Sequence, residues 1–172
     1  MIGWEPPEPG WCCANTDGSV ILPIQSSTAG GIIRDEAGRF REAFSMNLGG
    51  GSITHAELMG VLQGLKCAWN LGIRKLELRT DSRTALALVT TAAPRHPHYR
   101  SVIQICRMLE RDWEVRLKHT FREGNVVANF LAATEHHRPL GTHLIGSPCP
   151  ELCHWLMYDL VGSQTPRLVP VS

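Results

Sequence analysis

Hydrophobic and polar residues alternate along the first part of the chain with the two-residue period of β-strands. Residues 11–16 form one strand candidate, which ends at the polar stretch Asp17–Ser19. Residues 29–34 form a second candidate, and a turn over residues 35–38 connects it to a third over residues 39–47. The pattern therefore predicts one strand followed by a hairpin.

The period of the hydrophobic positions changes to that of a helix at residue 52. Leu58, Leu62 and Leu65 belong to an apolar series that recurs every three or four residues until Gly72, as one buried helix face requires. The next elements are predicted as a strand over residues 73–80, helices over residues 81–91 and 99–111, a strand over residues 113–119 and a last helix over residues 125–135. This order, βββαβααβα, predicts an α/β fold with a mixed five-stranded sheet and helices on both faces.

Proline is concentrated at both ends of the chain. Three of the 11 prolines lie in residues 6–9 and five lie in residues 139–170, which marks these stretches as extensions. We therefore expect a Pro-rich N-terminal extension over residues 1–9, a folded domain over residues 10–135 and a Pro-containing tail over residues 136–172.

Composition and charge exclude several classes of protein. With 43% hydrophobic residues, 19% charged residues and a net charge of +1, the chain of 172 residues is expected to be soluble and without a broad basic surface. No stretch has the length and apolarity of a signal peptide or a membrane span, so we expect an intracellular protein, cytoplasmic or nuclear, without a membrane partner. The six cysteines are scattered, and we interpret them as reduced thiols.

Three acidic residues lie at the ends of predicted elements, where α/β sheets gather functional groups. Asp17 ends the first strand, Glu57 lies in the first turn of the long helix, and Asp81 follows the fourth strand. Carboxylates from separate elements that point into one cleft are able to hold two magnesium ions for phosphodiester hydrolysis. Local explanations compete with this one, since Asp17 suits a turn, Glu57 a capping box that begins at Thr54, and Asp81 a helix cap.

A series of short motifs connects these acids along the chain. The motifs are WEPP at 4–7 with GW at 10–11, NTDGS at 15–19, AGGIIRDEAGRF at 29–40, THAEL at 54–58, TDS at 80–82, REGNVVANFLA at 122–132, and DLVG at 159–162 with PR at 166–167. In this order and spacing they resemble a plant ribonuclease H-like domain of type 1, of the kind associated with the reverse transcriptases of non-LTR retroelements.

The resemblance implies a ribonuclease H-like fold, two Mg²⁺ ions as cofactor, with Mn²⁺ as a substitute, and cleavage of the RNA strand of an RNA/DNA hybrid. Asp17, Glu57 and Asp81 match three of the four metal-binding carboxylates of the family, and Asn129 occupies the fourth position, where the family has Asp. His119 matches the family's mobile-loop histidine, which assists proton transfer or product departure. The alternative is that His119 simply ends a strand and has no catalytic role.

The change at Asn129 alters the expected function. An amide keeps one carbonyl oxygen for coordination but supplies no charge against a divalent ion. We therefore expect weak or absent cleavage with the fold retained. The alternative is a catalytically inactive nucleic-acid or protein interaction module derived from a retroelement. A 3′–5′ exonuclease on this fold would carry two acids one residue apart on the first strand, a pair that Asp17-Gly18-Ser19 lacks.

The resemblance also implies that the hybrid is recognised through phosphates and 2′-hydroxyls rather than base edges. The residues expected to contact it are Gly18, Ser19, Gly30, Gly31, Arg79, Ser82, Arg83, Lys118, Arg122 and Asn125. The four cations in this set are equally well explained as solvated surface charges, and the two adjacent glycines would allow a close backbone approach. Affinity should be modest and salt dependent, because residues 92–97 replace the extra basic helix of some relatives. We expect a monomer, either complete or part of a longer reverse-transcriptase polyprotein.

Overall fold

The computed structural model describes residues 3–22, 24–91, 96–134 and 136–162. The elements in these ranges are β1 (Cys12–Ile21), β2 (Ser26–Arg34), β3 (Phe40–Gly49), α1 (Ile53–Asn70), β4 (Lys75–Thr80), α2 (Arg83–Thr91), α3 (Tyr99–Leu109), β5 (Glu114–His119), α4 (Val126–Thr134), β6 (Gly141–Ile145) and α5 (Pro150–Gly162). A 3₁₀ turn, Arg122–Gly124, connects β5 to α4. The predicted helix end at Glu135, most of the loop over 92–97 and the PR motif at 166–167 lie outside the described residues.

The strands form one mixed sheet with the order β5-β4-β1-β2-β3-β6. Antiparallel pairs join β1 to β2, β2 to β3 and β3 to β6, whereas β4 is parallel to both β1 and β5. Parallel strands need a crossover connection, which α2 and α3 supply between β4 and β5. The α/β class and the order of the nine predicted elements are confirmed, but the sheet has six strands in the described ranges instead of the predicted five.

The first strand is longer than the hydrophobic pattern predicts. Residues 17–21 continue β1 because they pair with residues 26–30 of β2, so the prediction that the strand ends at Asp17–Ser19 was wrong. A polar stretch with glycine usually marks a turn. Here Gly18 allows α1 to pack closely on β1, because an added Cβ would lie 2.6 Å from the Glu57 backbone nitrogen of α1.

The sixth strand lies in the predicted tail. β6 pairs with β3 at one edge of the sheet, and its residues are exposed or half-buried. Hydrophobic alternation is weak in such a strand, and the flanking Pro139 and Pro148 indicate loops. The element was missed for these reasons.

The core has an apolar layer on each face of the sheet. Helices α1, α2 and α3 cover one face, where the larger cluster includes Leu58, Leu65, Leu78 and Ile105. Helices α4 and α5 cover the other face, where Leu131 belongs to a smaller cluster. Full burial of each such side chain stabilises the fold by roughly 1.5–3 kcal/mol. None of these helices, within the ranges given above, combines the length and the apolarity that crossing a membrane requires.

A buried polar network connects both ends of the described chain to the sheet. The Arg34 guanidinium donates to Asp159 of α5 at 2.7 Å and to the side-chain oxygen of Asn15 at 3.0 Å. Trp4 donates its indole N–H to the same Asn15 oxygen at 3.0 Å, and the guanidinium stacks over the Trp4 ring at 3.9 Å. The folded unit therefore includes residues on both sides of the predicted limits at 10 and 135.

Candidate metal centre

Two carboxylates meet where β1 and β4 lie side by side. The parallel register of these strands ends just before Asp17 and Asp81, so these two residues stand next to each other. A third carboxylate comes from α1. Because Gly18 has no side chain, the first turns of α1 pack directly on β1 and place Glu57 beside Asp17.

The three carboxylates form one cluster. One oxygen from each of Asp17, Glu57 and Asp81 lies within 4.8 Å of the other two. Asp17 and Glu57 are buried, Asp81 is half-buried, and Glu57 Oε2 is a buried atom without a hydrogen-bond partner. Magnesium prefers carboxylate oxygens. The donor set therefore fits a divalent cation, and the unpartnered oxygen is a ligand atom that no protein group uses.

The structure removes the local explanations for these acids. Asp17 lies inside a strand and not in a turn. The cap of α1 is Ser52, whose Oγ accepts the N–H of the third residue after it at 3.1 Å, so Glu57 lies beyond the capping turn. At the start of α2, the Ser82 hydroxyl accepts a hydrogen bond from the Ala85 N–H at 3.1 Å. Ser82, and not Asp81, therefore caps this helix. Caps and turns therefore do not explain the cluster.

Burial and mutual repulsion shift the pKa values of the cluster. Burial raises the pKa of Glu57 to about 10, and the charges of Asp17 and Asp81 add to this effect. Burial and the neighbouring Asp17 raise the pKa of Asp81 to about 6. Keeping all three groups charged at neutral pH is therefore costly for the protein alone. A bound divalent cation would offset this cost.

Asn129 of α4 contacts the cluster directly. Its side-chain amide donates a hydrogen bond to Asp17 Oδ2 at 3.0 Å. The flipped amide would set two acceptor oxygens against each other, so the N–H group must face Asp17. The fourth predicted position thus lies at the cluster, but it brings a donor where the family has a carboxylate.

Two of the predicted phosphate contacts are paired inside the protein. Arg79 donates to Glu77 at 2.9 Å through Nε and to the carbonyl of Glu5 at 2.6 Å. Lys118 pairs with the other Glu77 oxygen at 2.6 Å, although its side chain is 55% exposed. The alternating pattern around Glu77 predicted a strand, but it did not indicate that Glu77 pairs with Arg79 and Lys118. The Arg79 side chain is therefore occupied by contacts within the protein.

The other two predicted cations are more accessible. Arg83, at the start of α2, and Arg122, in the loop after β5, are both exposed. The charge of Arg122 favours the charged form of Asp81, against the larger effect of burial on that pKa. Both cations therefore remain candidates for contacts with phosphate.

The predicted glycine pair is buried inside the protein. An added Cβ on Gly30 would lie 2.6 Å from the Ala132 backbone nitrogen of α4, and one on Gly31 would collide with the Phe44 ring. The close approach expected at this pair is made by the protein's own groups. A nucleic-acid contact at the two glycines stays a prediction.

Two further predicted contacts have partners inside the fold. Asn125 is 1% exposed and donates its amide to the Thr16 carbonyl at 2.9 Å, which fixes the start of α4 on β1. The Ser19 hydroxyl lies 3.1 Å from His136 Nε2. Ser19 is half-buried, so the hydroxyl is only partly shielded from solvent.

His119 lies at the end of β5, opposite Thr80 in the parallel register and therefore one strand away from Asp81. Its ring packs edge-on against Phe121, with the ring centroids 5.3 Å apart. Both rings line a cavity of about 230 Å³ that Lys118 also borders. The histidine is thus close to the acidic cluster, on its β5 side.

Comparisons with known proteins agree with this geometry. The sequence matches the family described as reverse transcriptase-like over residues 15–135. A protein of Arabidopsis thaliana that is named for ribonuclease H is 35% identical over 170 residues, which is 98% of this chain and 27% of that protein. The chain thus spans about a quarter of the length of this relative.

Solved structures share the architecture. RNase H1 from the halophilic archaeon Halobacterium salinarum has a TM-score of 0.65 at 20% identity and covers 70% of this chain and 93% of its own. LC11-RNase H1 in complex with an RNA/DNA hybrid has a TM-score of 0.63 at 20% identity, over 70% of this chain and 92% of its own. At these identities the likeness shows the fold alone.

Proposed function

The chain belongs to the reverse transcriptase-like family and has a ribonuclease H-like fold, and from this we propose that it is a metal-dependent domain that engages RNA/DNA hybrids and hydrolyses their RNA strand weakly. The observation that supports the proposal is the convergence of Asp17, Glu57 and Asp81, with ligand atoms within 4.8 Å of one another. A structural neighbour that holds an RNA/DNA hybrid supports the substrate class. The description of the matching family as reverse transcriptase-like supports a relationship to reverse-transcriptase polyproteins.

The residues of the cluster would hold Mg²⁺, or Mn²⁺ in its place. When bound, the metal supplies an activated water and stabilises charge on the phosphate. The protein fixes the ligands on regular elements, since Asp17 comes from a strand, Glu57 from a helix and Asp81 from the end of β4. Ligands on such elements lose little freedom when they bind. The exposed Arg83 and Arg122 stand beside the cluster to contact phosphates.

Asn129 is the reason to expect weak hydrolysis. Its amide uses one Asp17 oxygen, and it adds no negative charge to the site. Two closely spaced divalent ions need more charge compensation than three carboxylates supply. We therefore infer that a second ion binds poorly, which reduces turnover more than hybrid binding.

The test compares the wild type with Asn129→Asp on a labelled RNA/DNA hybrid, in Mg²⁺ and then in Mn²⁺, with duplex DNA and duplex RNA as further substrates. We expect Asn129→Asp to cleave the RNA strand about 100-fold faster than the wild type, since it restores charge that acts on the transition state. Calorimetry should show tighter Mg²⁺ binding by this variant. The matched control is Asn70→Asp at the exposed end of α1, which should leave both quantities unchanged. Equal cleavage by all three proteins would contradict the role given to Asn129.

A second function is favoured by the same hydrogen bond from Asn129 to Asp17. A domain in which this contact replaces catalysis would bind hybrid without cleaving it. In that case the wild type would bind hybrid but release no product in Mg²⁺ or in Mn²⁺. Cleavage of the RNA strand by the wild type would exclude this second function.

A further inference from the structure

Phe121 is a large aromatic side chain that is exposed beside the acidic cluster. It is 60% exposed and lies in the loop between β5 and α4. The backbone of this loop is fixed, because the Thr120 N–H donates to the Thr80 carbonyl at 2.9 Å and the Gly124 N–H donates to the Phe121 carbonyl at 2.9 Å. The residue after Thr80 is Asp81. The ring therefore stands on an ordered support next to the cluster.

A cavity of about 230 Å³ opens beside this ring. Its walls include Phe121, His119 and Lys118, together with Glu5 and the Glu77 carboxylate, which is paired with Arg79 and Lys118. Pockets for whole small molecules usually start at about 300 Å³. The cavity is therefore suited to a single ring system and not to a larger ligand.

Two of the cations around the ring are accessible to a nucleic-acid strand. Lys118 is 55% exposed even though it pairs with Glu77, and Arg122, the residue after Phe121, is exposed. Aromatic side chains flanked by cations hold single strands, because bases stack on the ring while the cations contact phosphates. Inside a duplex the base faces are covered by their neighbours, whereas an unpaired nucleotide offers a free face and has the backbone freedom to reach the ring.

We propose that Phe121 is the stacking site for an unpaired nucleotide that extends from a bound hybrid, with Lys118 and Arg122 as its phosphate contacts. The inference rests on the proposed function, since it requires a hybrid at the acidic cluster. The domain then prefers hybrids that end in a single-stranded extension over blunt hybrids. This preference depends on the shape of the substrate and not on its sequence.

The test measures binding by the full chain with fluorescence anisotropy, with Ca²⁺ in place of Mg²⁺ to limit cleavage. The probes are a blunt RNA/DNA hybrid and the same hybrid with a short unpaired extension. We expect the wild type to bind the extended hybrid about tenfold more tightly, the fold-change that stacking of one base provides. Phe121→Ala should lose this difference, and Phe121→Tyr should keep it.

The matched control is Tyr158→Ala, which removes another exposed aromatic side chain (54% exposed) from α5. It should retain the preference of the wild type. If the wild type binds both hybrids equally, or if Phe121→Ala keeps the preference, the stacking site is overturned while the proposed function stands. If no protein binds the blunt or the extended hybrid, both the proposed function and this inference are overturned.

Discussion

At the scale of single residues, the buried charged side chains in the described part of the chain fall into two groups. Arg34 and Asp159 pair with each other, and Glu77 pairs with two cations. Ion pairing offsets the cost of removing such groups from water. Asp17 and Glu57, in contrast, are two acids buried beside each other, and burial together with the Asp17 charge raises the pKa of Glu57 to about 10. Acids with such shifted pKa values are typical of a binding site, where a bound cation would favour their charged forms.

Glu77 gives a prediction at this scale. Burial alone would raise the pKa of Glu77, but hydrogen bonds and charges from Lys118 and Arg79 outweigh it and lower the pKa below its usual value. A depressed carboxyl pKa stabilises the fold above the unfolded pKa, and this contribution is lost as the pH falls through the folded pKa. Glu77→Gln should therefore cost about 1–3 kcal/mol near neutral pH, and the cost should disappear in acid.

Urea unfolding of the wild type and Glu77→Gln measures this difference at neutral pH and at a pH well below the usual glutamate pKa of about 4.3, where Glu77 is also protonated in the folded state. The control is Glu8→Gln, because Glu8 also pairs with an arginine, Arg116, but its side chain is 64% exposed. An exposed pair contributes about 0–1 kcal/mol. An equal loss of stability for Glu77→Gln at both pH values would show that its ion pairs are not the cause.

At the scale of elements, local periodicity correctly predicted the helices and strands that have long, regular hydrophobic patterns. Helix α1 was predicted because its apolar positions repeat over many turns, and the class of the sheet followed from the order of the elements. The end of β1, the strand β6 and the burial of Gly30 were not predicted. Each of these depends on a partner distant in the chain, as when α4 packs on Gly30. The acids were identified from the sequence by position, whereas the hydrogen bond from Asn129 to Asp17 required the packing of α4 on β1.

The contact between α4 and β2 gives a prediction at the scale of elements. Gly30→Ala should destabilise the fold by about 1–3 kcal/mol, as overpacking does, because its Cβ would lie 2.6 Å from the Ala132 backbone nitrogen. The matched control is Gly50→Ala, where an added Cβ meets nothing within 4 Å. Thermal unfolding of both variants measures the difference. If the two alanines have the same effect, α4 does not pack on β2 as closely as described.

At the scale of the whole molecule, packing on the sheet face that α4 and α5 cover depends on residues near both ends of the described chain. The motif DLVG at 159–162 was matched to the family ending from the sequence, but its structural role was not evident there. Asp159 is 2% exposed and compensates Arg34, which is buried under Trp4. Leu152 of the same helix is buried in the cluster on this face. The described part of the tail thus completes the core on one side, which a proline count alone had not indicated.

Asp159→Asn tests this dependence. The substitution keeps the shape of the side chain but leaves the Arg34 guanidinium as a buried charge without its counter-ion, which should cost about 3–5 kcal/mol. That cost is a large share of the roughly 5–15 kcal/mol that stabilises a typical domain. The exposed Glu151 on the same helix provides the control, since Glu151→Gln should change stability by less than about 0.5 kcal/mol. The double variant Arg34→Met with Asp159→Leu should lose less stability than Asp159→Asn, because replacing both partners leaves no buried charge. Should Asp159→Asn unfold at the same urea concentration as the wild type, the Arg34–Asp159 pair contributes little to stability, and α5 is held on the sheet by apolar contacts such as those of Leu152.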